Sequence, residues 1–177
     1  MQILVAGLGR FGRNLALGLS RLGHEVIALD QSEAAIQEVA PEIEEAVIGD
    51  ATDDNVLREI GAPDIDMAIV AMAEVEASVL ITTHLKNLNV PQVFAKASSD
   101  VHRTILERVG ADRVIFPEQE MAVRLAQSVE APQVLHYAEL LPHLGIAQIA
   151  AGPAFVGRSL ASLDLRARDE TSVLAIK

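Results

Sequence analysis

The hexapeptide Gly7-Leu8-Gly9-Arg10-Phe11-Gly12 follows an apolar run, Ile3-Leu4-Val5-Ala6, and an acid, Asp30, closes the next apolar run, Val26-Ile27-Ala28-Leu29. Glycines at this spacing meet three separate steric demands. Gly7 makes the tight turn off a strand, Gly9 lets backbone approach a phosphate, and Gly12 allows close packing of the helix that follows. That helix, from about Phe11 to Leu22, would aim unpaired N–H groups and the positive end of its dipole at the phosphates. Asp30 stands 18 residues after Gly12, near the roughly 20 at which an acid accepts hydrogen bonds from ribose hydroxyls. A 2′-phosphate there would meet a negative charge, so the arrangement disfavours NADP. The chemistry is recognition of a dinucleotide or an adenine nucleotide. A bare glycine motif also occurs as a simple tight turn, but here the strand before it, the helix after it and the acid beyond all agree.

Further candidates lie where other apolar runs end. Gln31 follows Asp30 and belongs to the same edge of the expected pocket. Asp50 ends the third run in Gly49-Asp50-Ala51-Thr52, whose small residues suit close approach of a flat adenine. Asp50 or Thr52 could equally cap the helix starting near Asp53. Ala71, Met72 and Ala73, after the fourth run, should line the same crevice or simply pack in the core. Arg10 occupies a variable slot of the glycine loop, from which a guanidinium could grip a phosphate bidentately; its alternatives are a contact to a neighbouring subunit's ligand and plain solvation. Lys96 ends the fifth run and either adds positive charge to the crevice or pairs with Asp100. Glu118 and Glu120 open the sixth helix, where a carboxylate favours the dipole or, near nucleotide phosphates, could ligate Mg²⁺ or Ca²⁺.

No catalytic constellation accompanies these residues. The five histidines, His24, His84, His102, His136 and His143, are not paired at metal-ligand spacing. A small NAD-dependent oxidoreductase, the alternative reading, would need a proton-handling residue presented by a substrate domain, for which the chain has no room. A nucleotide domain without attached chemistry is better explained as a sensor.

The elements that must position these residues alternate between β-branched runs and helical periodicity, the pattern of an α/β, Rossmann-like, doubly wound parallel sheet. Strands are expected at about 2–6, 25–30, 45–48, 66–71, 92–96 and 113–116, and helices at about 11–22, 32–40, 53–60, 74–88, 99–108 and 118–129. Ser32 or Asp30, Asp53, Ser99 or Asp100, and Pro117 stand at helix starts, and Gly23, Gly61 and Gly110 at three helix ends. Six strands in the order 3-2-1-4-5-6 would put the ligand crevice between strands 1 and 4, at their carboxyl ends. Residues 1–130 are thus read as the nucleotide-binding domain and 131–177 as a linker and a short, incomplete C-terminal lobe. In that lobe, Pro132, Pro142 and Pro153 break the alternation. Ile146–Ala150 and Ser172–Ile176 are expected as two strands, joined through Gly157-Arg158-Ser159-Leu160 and a turn at Leu163.

Composition sets the outer bounds. With 177 residues, half of them hydrophobic, the chain can bury a substantial core. It has no cysteine, which excludes disulfides and thiolate chemistry and fits an intracellular protein. No apolar stretch approaches the ~18 residues that cross a bilayer, so a membrane role is expected to come through a partner. A net charge of −11 argues against nucleic acid, whose phosphates need clustered Lys and Arg. Residues 31–76 hold 13 Asp and Glu against Arg58 alone, read as a solvated acidic face or as a dock for a basic partner.

In their order along the chain, four segments resemble family signatures. They are Val5-Ala6-Gly7-Leu8-Gly9-Arg10-Phe11-Gly12, Gly23-His24-Glu25-Val26, Gly49-Asp50-Ala51-Thr52 and Val109-Gly110-Ala111-Asp112-Arg113-Val114-Ile115-Phe116-Pro117-Glu118. The family is that of the regulatory nucleotide-binding domains of potassium uptake systems and channels, called KTN, RCK or TrkA-N domains. The resemblance implies a cytoplasmic, homodimeric subunit that builds an octameric ring at the inner face of the membrane, beneath an integral-membrane potassium transporter or channel. Exchange of ATP for ADP, or of NADH for NAD, would change the ring and gate the pore. It further implies that Gly7, Gly9 and Gly12, with Phe11 in the same loop, surround the phosphates, that Asp30 binds ribose and that Asp50 to Thr52 flank adenine. Arg10 and Lys96 match basic positions of the family, and Glu118 matches a glutamate linked to a divalent ion in some members. The family's C-terminal lobe continues through a further strand and helix, whereas this sequence stops at Lys177, which reads as a shortened form of that lobe.

Overall fold

The computed structural model describes residues 1–130, 134–141, 144–166 and 171–176. The first part of the chain alternates strand and helix: β1 (Gln2–Ala6), α1 (Arg10–Arg21), β2 (Glu25–Asp30), α2 (Glu33–Val39), β3 (Glu45–Ile48) and α3 (Asp54–Glu59). After a 3-10 turn at Ala62–Asp64 come β4 (Met67–Val70), α4 (Val75–Asn87), β5 (Gln92–Lys96), α5 (Asp100–Arg108), β6 (Arg113–Ile115) and α6 (Pro117–Glu130). All six strands are parallel and lie in the order β3-β2-β1-β4-β5-β6, as the sequence predicts.

Side-chain alternation along the buried strands feeds two cores, one on each face. Leu4, Ala6, Ile27 and Leu29 join Leu57, Ile81, Leu85 and Leu106 from α3, α4 and α5. Val5, Val26 and Ala28 join Ala16, Ile36 and Val39 from α1 and α2. The change of face between the first two helices and the later ones is the crossover that opens a crevice at the carboxyl ends of β1 and β4. Both strands stay in register to that point, with Ala6 opposite Leu29 on one side and Val70 on the other.

Helix starts follow the predicted caps. Ser32 accepts from the Ala35 N–H, Asp53 from Asn55 and Ser99 from His102, and Pro117 occupies the first position of α6. Gly110 ends α5 at φ +99°, and Asp112 two residues on ties three elements together. Its Oδ2 accepts from the Val93 N–H at 2.7 Å and from Lys86 Nζ at 2.9 Å. Burial opposes its charge, but the Val93 N–H and the Lys86 ammonium outweigh that and hold its pKa below the ordinary carboxylate value.

The chain forms two compact units, Met1–Gln119 and Glu120–Lys177, dividing within α6 where the sequence reading put the division after residue 130. In the second unit β7 (Val134–Leu141) pairs antiparallel with β8 (Leu144–Ile149), followed by α7 (Leu160–Leu163), capped by Ser159. Two corrections follow. The predicted strand at 146–150 is β8, but its partner is the segment 134–141, which was read as linker. The predicted strand Ser172–Ile176 is not one: among the described residues no strand pairs with it in a ladder, and a β-branched run makes a strand only where another backbone pairs with it. Of the predicted breaks, Pro132 and Pro142, like Lys177, lie outside the described residues.

Candidate functional site

Because the sheet is parallel, the carboxyl ends of all six strands share one edge, and the sequence-predicted residues converge there. The glycine loop follows β1, Asp30 ends β2, Asp50 follows β3, Ala71 to Ala73 follow β4, Lys96 ends β5 and Glu118 follows β6.

The three glycines separate into two kinds. Gly7 sits at φ +93°, where a Cβ would come 2.6 Å from Met72 Sδ and 3.2 Å from the Ala71 carbonyl carbon. A Cβ at Gly12 would collide with the Gly7 carbonyl oxygen, so α1 can start this close to β1 only with glycine there. Gly9 is different. It caps α1 at φ −60°, a conformation open to any residue, and a Cβ would meet none of the described residues within 4 Å. Chain packing therefore demands Gly7 and Gly12 but not Gly9. The bare backbone at Gly9, with no side-chain cap on the N–H groups of α1, leaves a surface that an anionic oxygen can approach.

Asp30 is fastened to this loop. Its Oδ2 accepts the Leu8 N–H at 2.6 Å and its Oδ1 the Ser32 N–H at 2.8 Å. The two backbone donors fix the carboxylate at the crevice, and each oxygen keeps a lone pair for a sugar hydroxyl. On the neighbouring strand Asp50 Oδ1 accepts from the Thr52 hydroxyl at 2.6 Å and from the Thr52 N–H at 2.9 Å. These bonds, the hydroxyl first, hold the Asp50 pKa below the usual carboxylate range, with a smaller contribution from the Gln31 amide. Asp50 thus orders the Gly49–Thr52 turn, while Asp53 caps α3. Ala51 is buried, Thr52 half-buried and Gln31 exposed. Under the glycine loop, Ala71 is buried and its N–H continues the ladder to the Ala6 carbonyl at 2.8 Å. Met72 is half-buried against the core, Ala73 is exposed, and Phe11 is half-buried in the first turn of α1.

Lys96 does not pair with Asp100. Its Nζ lies 2.7 Å from Glu118 Oε1, with the lysine side chain 15% exposed and the glutamate 71%. The Lys96 hydrogen bond and then the first-turn N–H of α6 hold the Glu118 pKa below its ordinary value, and the charges of Lys96 and Arg10 act in the same direction. Arg10 is exposed on the first turn of α1, and Lys96 and Glu118 form the charged cluster at this edge. Nothing in the sequence announced this pairing, since the two residues are 22 positions apart and meet only because β5 and β6 are neighbours. The cluster does not suit a divalent ion in this chain alone. Glu118 faces cations, and among the described residues no three His, Asp or Glu side chains gather as a ligand set.

A cavity of about 390 Å³ adjoins the cluster, lined by Lys96, Ser98, Ser99, Asp100, Phe116 and Glu118 among others. His102 is buried; its Nδ1 accepts the Ser98 N–H at 3.3 Å, its Nε2 has no hydrogen-bond partner among the described residues, and burial lowers its pKa. A second cavity, of about 360 Å³, lies at the opposite edge among Gln2, Glu25, Glu42 and Glu45. It is ringed by carboxylates, which repel an anion, and none of its lining residues belongs to the glycine loop.

Comparison with known proteins agrees with this geometry. Residues 3–117 match the TrkA-N domain. Over 177 residues, 99% of this chain and 80% of the relative, the chain is 40% identical to Ktr system potassium uptake protein C of Bacillus subtilis, and 39% identical over the same extent to protein A of that system. Among solved structures, the GsuK channel bound to NAD superposes with a TM-score of 0.63 at 25% identity, covering 74% of this chain and 23% of that one.

Proposed function

The chain belongs to the TrkA-N domain family, and from that premise we propose that it is a regulatory nucleotide sensor for a membrane potassium transporter or channel. The observation that carries this reading is the contrast within the glycine loop. Gly7 and Gly12 answer to packing of the chain on itself, whereas Gly9 answers to nothing in the chain and stands beside a carboxylate fastened for a ribose. An adenine nucleotide, ATP, ADP, NAD or NADH, fits that arrangement: phosphates over Gly7–Gly12 near Arg10, ribose on Asp30, and the base against Asp50, Ala51 and Thr52, with Ala71 to Ala73 forming the floor. Relatedness to Ktr potassium uptake proteins supports the transport role.

The role is binding rather than catalysis. Regulation needs only that two nucleotides favour two conformations to different degrees. Self-association into a dimer, and then an octameric ring at the inner face of the membrane, would turn such a difference into a mechanical signal. Exposed apolar side chains support that assembly: Met121, Val123 and Val129 on α6, and Leu135, Leu144 and Ile146 on the hairpin. Among the described residues no helix is long and apolar enough to cross a membrane, and contact with the pore is assigned to the ring. Light scattering of the purified chain with ATP and with ADP tests the reading. An oligomer whose hydrodynamic radius differs between the two supports it; a monomer indifferent to both overturns it.

A further inference from the structure

The helices α4 and α5 run in the same direction, because each crosses back between parallel strands, and they pack side by side. Their register shows at one end, where a Cβ on Gly110 would lie 3.4 Å from Lys86 Cγ. Stepping back four residues at a time keeps to one face of each helix, from Lys86 through Thr82 to Ser78 and from Gly110 through Leu106 to His102. Ser78, Thr82, His102 and Leu106 are all buried. Ser78 and His102 thus hold matched positions on facing stripes, each near the amino-terminal end of its helix. Neither Ser78 Oγ nor His102 Nε2 has a hydrogen-bond partner among the described residues, while the Thr82 hydroxyl donates to the Ser78 carbonyl at 2.7 Å. The other ring nitrogen sets the tautomer. Because Nδ1 accepts the Ser98 N–H, the neutral ring carries its proton on Nε2. A buried donor on α5 therefore stands opposite a buried hydroxyl on α4, where polar groups are as a rule paired.

We propose that His102 is a proton-sensitive link between α4 and the start of α5: the neutral ring donates Nε2–H toward the Ser78 hydroxyl and holds the Ser98 N–H at Nδ1, and a proton taken up at Nδ1 breaks the Ser98 half. This sensing stands apart from the nucleotide reading. The surrounding charges are exposed or engaged elsewhere. On α4, Glu76 is exposed, His84 faces Asp54 and Lys86 pairs with Asp112; on α5, Asp100 is exposed and Arg103 lies over Phe116. On β6, Arg113 lies over Phe94, and at the end of β5 Lys96 pairs with Glu118. Burial is what lowers the His102 pKa, and the positive end of the α5 dipole opposes a charge in its first turn as well. Once Nδ1 is protonated, the Ser98 N–H loses its acceptor, and the loop before α5 and the first turn of that helix are freed to move.

NMR of the full chain tests this, with the His102 ring signals identified by their loss in His102→Gln. The wild-type ring should be the Nε2–H tautomer at about pH 7.5 and titrate below the ordinary 6.5. Ser78→Ala removes the acceptor, which favours the charged ring as the stronger donor, and should lower that midpoint by a further half a pH unit or so, roughly the scale of one neutral hydrogen bond. The Arg103 amide, bonded to the Ser99 carbonyl at 2.9 Å, should lose protection from hydrogen exchange severalfold between about pH 7.5 and 5.5 after correction for the intrinsic rate. In His102→Gln it should keep that protection, because the amide side chain can make both bonds but takes no proton. A wild-type ring with its proton on Nδ1, or a midpoint untouched by Ser78→Ala, would overturn the link to α4. Equal loss of protection in His102→Gln would overturn the histidine as its switch.

Discussion

The Leu8 N–H donates a 2.6 Å hydrogen bond to Asp30 Oδ2, joining the middle of the glycine loop to the acid that ends β2. Two features that the sequence places 22 residues apart are one structural unit. The loop positions the carboxylate, and the carboxylate satisfies a loop N–H that would otherwise be buried beside Leu8.

Replacing that carboxylate should therefore have two effects. Asp30→Ala is expected to weaken ATP and NADH binding at least tenfold in calorimetry, and to lower stability by about 1–3 kcal/mol through the stranded N–H group of Leu8. Unchanged affinities for both nucleotides would remove Asp30 from the site.

The glycines make a paired prediction. Gly12→Ala must push α1 off the Gly7 carbonyl and should lower Tm by about 10 °C. Gly9→Ala should leave Tm within about 2 °C, since a methyl group there meets nothing, yet weaken nucleotide binding severalfold. Thermal denaturation of the ligand-free variants, followed by titration, separates the two roles.

Arg10 tests how phosphates are read. Arg10→Ala should reduce ATP affinity more than NADH affinity, because a guanidinium beside the loop gains most from a terminal phosphate. Equal losses in parallel titrations would make Arg10 a general electrostatic aid.

Two groups predict different pH windows. His102 has a lowered pKa through burial, so the native state takes up its proton less readily than the unfolded chain. Its contribution is complete above the unfolded value near 6.5 and is lost as pH falls toward the lower native value. Protonation also turns Nδ1 into a donor facing the Ser98 N–H. His102→Gln should shrink the fall in urea midpoint between about pH 7.5 and 5.5. Asp112 acts lower: its stabilisation is complete above the unfolded value of 3.8 and is lost as acid passes that value toward the native one. Asp112→Asn should flatten the acid limb below about pH 4 and leave the histidine window intact.

Legibility followed the range of the interactions. Strand runs, caps and the glycine loop are local patterns, so the six-stranded order and the placement of Gly7, Asp30 and Asp50 were readable before any coordinates. Partner choice was not. The sequence offers Lys96 either the crevice or Asp100 as its partner, and the structure pairs it with Glu118, because sheet adjacency rather than sequence proximity decides which charges meet. The second unit failed for a related reason. Val134–Leu141 carries a polar and aromatic mixture that shows itself as a strand only through its register with Leu144–Ile149, while the cleaner β-pattern at Ser172–Ile176 has no ladder neighbour among the described residues.

Adenine-nucleotide binding in the crevice at the carboxyl ends of β1 and β4 underlies every role proposed above for the carboxyl edge. Thermal denaturation of the whole chain with and without saturating ATP, ADP and NADH tests it most directly, because any ligand that prefers the native state must raise Tm. Tm should rise with each nucleotide, by unequal amounts, and the rise should be abolished by Asp30→Ala. A transition temperature indifferent to all three would contradict it.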